Sequence, residues 1–84
     1  MDNYYITMRS VTVAQRGERA LRAASIPCAL GRTPRWMEER GCGYCLTLRR
    51  EALARAVEAL RAQNIPFSKI YHLPPGGTPE EVEV

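Results

Sequence analysis

The sequence predicts an α+β fold: two β-α-β units forming a four-stranded antiparallel sheet with both helices on one face. Two observations point to it. The first is an internal repeat. Ala20-Leu21-Arg22-Ala23-Ala24-Ser25-Ile26-Pro27 matches Ala59-Leu60-Arg61-Ala62-Gln63-Asn64-Ile65-Pro66 at an offset of 39, with six of eight positions identical. In each copy an Ala/Leu/Arg helix ends at a polar residue and an Ile-Pro pair opens an extended segment. Proline cannot continue the helix and pushes the preceding residue toward β geometry. The second observation is that each copy follows a run of β-formers, Tyr4 to Met8 and Tyr44 to Leu48.

Taken in order, Tyr4-Tyr5-Ile6-Thr7-Met8 is a strand with Ile6 and Met8 on one face. The first helix should run from about Val11 to Ala24, with Ala14, Gly17, Leu21 and Ala24 on one face and Arg16, Arg19 and Arg22 in solvent. Cys28-Ala29-Leu30 follows as a short strand. Tyr44-Cys45-Leu46-Thr47-Leu48 alternates, so Tyr44, Leu46 and Leu48 face one way and Cys45 and Thr47 the other. The second helix should run from about Arg50 to Gln63 with Leu53, Val57 and Leu60 inward, and Phe67 to Tyr71 supplies the last strand. The order β-α-β, loop, β-α-β is the ferredoxin-like βαββαβ arrangement, a pair of split βαβ units. Residues 1–73 then form one domain, and 74–84, a Pro/Gly run followed by acidic residues, is expected to be a flexible tail.

Composition narrows the function. The 84 residues carry 12 basic and 9 acidic side chains, a net charge of +3. All but one of the basic residues are Arg, Lys69 being the exception, and Glu80, Glu81 and Glu83 sit in the tail. The rest of the chain is therefore more basic, near +6. Arginines without interleaved aromatics do not make a base-stacking platform, so nucleic acid is not an expected partner. No apolar run is long enough to cross a membrane. The start, Met1-Asp2-Asn3-Tyr4-Tyr5, does not read as a signal peptide, so the expected location is cytoplasmic. Three cysteines without an export signal do not suggest a disulfide framework. No cofactor is expected: Gly76-Gly77 lies in the tail with no helix after it, and Cys28 and His72 stand on separate strands, so no metal set forms with Cys42 and Cys45.

The segment Thr33 to Cys45 holds the candidate chemistry. Cys42 lies between Gly41 and Gly43, which remove side-chain bulk and let backbone N–H groups approach an anion. Arg32, Arg35 and Arg40 precede it and would favour the thiolate, the reactive form. Cys42 is equally readable as a small apolar residue at a strand start. Cys45 is a possible second thiol, since Cys42-Gly43-Tyr44-Cys45 is a C-x-x-C. In extended backbone the two Cα atoms would lie about 10 Å apart, too far for a disulfide, whereas a turn at Gly43 could join them.

Tyr5-Ile6-Thr7-Met8, Ser25-Ile26-Pro27, Thr33-Pro34-Arg35, Cys42-Gly43 and Ile70-Tyr71 together resemble the selenium/sulfur carrier-like family over about residues 4 to 73. Where relatives usually carry small residues before Cys-Gly, this chain has Trp36 to Gly41, and it adds Cys45. The resemblance implies a carrier, at most a persulfide or selenide carrier rather than a turnover enzyme. It would hold a chalcogen on Cys42 and pass it from a donor protein to an acceptor. The alternative is a non-catalytic module that binds a small anion or a partner protein, with Cys42 structural. An exposed edge strand would allow pairing between chains, so oligomeric state stays open.

Overall fold

A computed structural model describes residues 3–32, 43–74, 76–78 and 80–82. The elements are β1 (Asn3–Met8), α1 (Val11–Ala23), β2 (Ala29–Arg32), β3 (Tyr44–Arg49), α2 (Arg50–Ala62), β4 (Ile70–Leu73) and β5 (Glu80–Val82). All strand pairings are antiparallel, and the order across the sheet is β2-β3-β1-β4-β5. Each unit is split by a strand of the other: β3 lies between β1 and β2, and β1 between β3 and β4. The helices pack on each other and both pack on β1 and β3, which puts them on one face of the sheet.

The sheet has five strands, where the sequence reading expects four. The fifth comes from the segment read as a flexible tail. Two of its three residues, Glu80 and Glu81, are poor strand formers, so local propensity hides it. Its register shows why it docks. Leu30 pairs with Leu46, Leu46 with Ile6, Ile6 with Ile70, and Ile70 with Val82. One apolar row thus crosses all five strands, and Val82 closes it at the β4 side.

Two strand bounds also differ from expectation. β2 lies at 29–32, one or two residues later than Cys28 to Leu30. β4 begins at Ile70 instead of Phe67 because Ser68 and Lys69 both face Thr7. The Thr7 hydroxyl donates to the Lys69 carbonyl (3.1 Å) and accepts from the Lys69 amide (3.0 Å), while the Ser68 amide donates to the Thr7 carbonyl (2.8 Å). Two residues opposite one interrupt the ladder, as in a bulge.

The repeat is a repeated helix ending. Ser25 and Asn64, at equivalent positions, are the two non-glycine residues with positive φ among those described (60° and 55°). In the first copy the Ile26 amide reaches back to the Leu21 carbonyl (2.8 Å) and the Ser25 amide to Arg22 (3.0 Å). In the second, Ile65 reaches Leu60 (2.9 Å) and Asn64 reaches Arg61 (3.1 Å). These are paired Schellman caps, in which the residue after the left-handed turn packs on the last helical turn. Leu21, Ile26, Leu60 and Ile65 are accordingly buried. At the other end of α1, the Ser10 hydroxyl accepts from the Val13 amide and caps the first turn.

The core contains Leu21, Leu46, Leu48, Val57 and Leu60 as expected, with Leu53 partly buried against it, and adds Ile6, Met8, Ile26, Ile65 and Ile70. Ala24, expected inward, is an exposed helix cap. Gly17 marks the closest approach of α1 to the rest of the core. A Cβ there would come within 3.0 Å of Met8 Cε, 3.1 Å of Leu46 Cδ1 and 3.3 Å of Leu60 Cδ2.

Leu60 is fully buried where α2 meets this point. Leu60→Ala should cost on the order of 2–5 kcal/mol in urea denaturation. Ser25→Gly should stabilise the fold by up to about 1 kcal/mol. It relieves about 1–2 kcal/mol of left-handed backbone cost, offset by the extra freedom of glycine in the unfolded chain. Asn64→Gly should gain less, because asparagine tolerates that conformation better.

Candidate functional site

The connection between β2 and β3 carries the candidate thiol, and its two ends meet across one rung of the ladder. Arg32, the last residue of β2, is the register partner of Tyr44, the first of β3, and Tyr44 in turn faces Met8 at the end of β1. The Arg32 guanidinium lies 5.9 Å from the Tyr44 ring centroid, within cation–π range. Arg32 is exposed, whereas Gly43 and Tyr44 are half-buried. The hairpin is therefore clamped at its base by backbone pairing and by a cation over an aromatic face. Tyr44 has a role here that residue type alone did not suggest. Its place at a strand start, one rung from an arginine, becomes visible only with the register.

Gly41, Cys42, Arg35 and Arg40 lie outside the described residues. Of the sequence-derived set, the structure brings together Arg32, Gly43 and Cys45 at the base of the hairpin.

The two described thiols have different surroundings. Cys45 is only 2% exposed, and its Sγ donates to the Arg32 carbonyl at 3.9 Å, a long contact proper to sulfur. Its register partners are Gly31 and Thr7. Alternation along β3 points it to the sheet face opposite Leu46 and Leu48, outside the main core cluster. Cys28 is half-buried just before β2. Burial pushes its pKa above the ordinary thiol value. The Glu18 carboxylate pushes the same way, and Arg22 pulls weakly against both. Arg22 is itself engaged by Glu18 at 3.3 Å.

Among the described residues, no three His, Cys, Asp or Glu side chains come together as a metal-binding group. His72 stacks on Tyr4, with ring centroids 4.5 Å apart and planes 11° from parallel. No helix among the described residues is long and apolar enough to cross a membrane.

The family model described as "Putative Se/S carrier protein-like" matches residues 3–72, from β1 into β4. The chain belongs to this family. No curated protein matches the chain. The family region takes in the whole β2–β3 connection with Cys42, and ends before β5.

Because a raised pKa keeps the thiol protonated, Cys28 should alkylate slowly at neutral pH, with a rate midpoint above the value of about 8.5 for a free thiol. The same shift has a stability consequence. The folded state holds its proton more tightly than the unfolded one, so the contribution of Cys28 is intact below the unfolded pKa and is lost as pH rises through the folded pKa. Site-resolved alkylation against pH, read by peptide mass, checks the kinetics. A smaller alkaline loss of stability in Cys28→Ser checks the linkage.

Proposed function

We propose that this protein is a sulfur or selenium carrier that holds the chalcogen on the thiol of Cys42 and passes it between a donor and an acceptor protein. The observation that carries the reading is the family match over residues 3–72. The other two thiols support it by elimination. Cys45 is buried and turned onto the Arg32 carbonyl, and ionisation of Cys28 is disfavoured by burial and by Glu18. A transferable chalcogen needs an accessible thiolate; Cys45 is not accessible, and burial and Glu18 disfavour the thiolate of Cys28.

The transfer is an exchange without net redox change. The Cys42 thiolate attacks the outer sulfur of a donor persulfide, R–S–SH. A sulfur–sulfur bond forms at Cys42, the donor's own bond breaks, and the donor leaves as the thiolate R–S⁻. Selenium would follow the same course from R–S–SeH. Arg32, Arg35 and Arg40 would favour the thiolate, with Gly41 and Gly43 leaving room for the attacked group.

The scaffold in this reading is a ferredoxin-like βαββαβ unit made of residues 1–73. The observed order β2-β3-β1-β4 supports it, with β5 an addition from the 74–84 segment. Its setting is cytoplasmic, where thiols stay reduced.

Incubating the protein with a small-molecule persulfide should add one sulfur to the Cys42 peptide. The adduct should transfer to an added thiol acceptor. Cys42→Ser should abolish it, and Arg40→Gln should slow its formation at pH 6–7. An adduct that persists in Cys42→Ser, or no adduct at all, would favour the non-catalytic binding module instead.

A further inference from the structure

The fifth strand lies beyond the part of the chain that the family model covers, which ends at residue 72. In a sheet built from the matched residues alone, β4 would be an edge, and sheet edges attract extended chains. Here that edge is occupied by three residues of the same chain. Val82 faces Ile70, Glu81 faces Tyr71 and Glu80 faces His72. Val82 packs against the core cluster and ends the apolar row. Lys69 Nζ lies 3.7 Å from Glu81 Oε1.

The hold is light. Glu80 and Glu81 are exposed and Val82 is half-buried. The ion pair is solvent-accessible at both ends, 39% and 52%, so it contributes at most about 1 kcal/mol. A tight turn leads into the strand: the Gly77 amide donates to the Pro74 carbonyl (3.0 Å), and Gly76 takes a left-handed φ of 68°. A three-residue strand with one apolar anchor is a low-stability element able to open without unfolding the rest.

We propose that β5 is a self-docked stand-in for a partner strand. The outer edge of β4 is a docking edge for an extended segment of another protein that carries two adjacent acidic residues followed by an aliphatic one. The backbone of β4 supplies the ladder, Lys69 reads the second carboxylate, and the place beside Ile70 takes the aliphatic side chain. Charge complementarity favours such a partner, because outside Glu80, Glu81 and Glu83 the chain has twice as many basic as acidic residues. While β5 is docked it competes, and the partner's apparent affinity falls by the fraction of molecules in which the edge is open. This inference is independent of the chemistry assigned to Cys42.

The test uses the full chain, wild type and Val82→Asp, with a fluorescent peptide of the sequence of residues 78–84 as the probe. Val82→Asp should remain folded by circular dichroism and bind the peptide saturably, about tenfold or more tighter than wild type, as expected if β5 is docked in most wild-type molecules. Amide signals of Ile70 to Leu73 should shift. Adding Lys69→Glu should weaken binding, and a peptide carrying Glu81→Lys should restore it. If Val82→Asp unfolds, Glu81→Lys in the full chain opens the edge by repulsion from Lys69 and takes the same measurements. Equal binding to wild type and variant, shifts away from β4, or failure of the charge swap would overturn the proposal. So would self-association of Val82→Asp through β4, which would make a second copy the occupant.

Discussion

The structure depends on one row of apolar side chains. Leu30, Leu46, Ile6 and Ile70 stand in register across β2, β3, β1 and β4, and Val82 of β5 extends the row at its lightly held edge. A slip of one residue in any strand would turn its contribution to the opposite face. Fixing that row therefore fixes every pairing at once. The helices cover it, and Gly17 permits the approach: α1 comes so near Met8, Leu46 and Leu60 that a methyl group would press on all three.

The two halves of the chain deliver their helices to that row by the same device. Each helix stops at a left-handed residue, Ser25 or Asn64. Each then turns an isoleucine back onto the leucine one turn earlier. The Ile-Pro pair that marks the repeat in sequence is thus a packing signal as well as a helix terminator. Isoleucine fills the core at the end of the helix, and proline directs the chain toward the next strand.

The frame also separates the chemistry of the thiols. Cys28 lies beside α1, where burial and Glu18 work against its ionisation, and Cys45 is shut into the sheet. The β2–β3 connection, which carries Cys42, springs from a clamped base at Arg32 and Tyr44. The exchange proposed for Cys42 needs one reactive thiol and no competing neighbour. The burial of Cys45 matters here, because a C-x-x-C pair with both thiols free would tend to close on itself.

What the sequence by itself determined is local or periodic. Helix positions follow from apolar spacing at Leu21, Val57 and Leu60, β1 and β3 from runs of β-formers, and the helix ends from Ile-Pro. Membership of the family could be read from a few short motifs, and Cys42 with its glycines and arginines could be read only as a pattern of residue types. What the tertiary structure decided is non-local. Thr7 delays β4 by binding both sides of Lys69, a contact between residues 62 positions apart. Val82 makes a strand of an acidic segment because Ile70 is already in place beside it. Cys45 is buried although its register partners are only Gly31 and Thr7, and Arg32 meets Tyr44 only because β2 and β3 pair in that register. Strand partners and burial depend on which chain segments meet across the sheet. No local preference carries that information, so it appears only once the row through Ile6 is assembled.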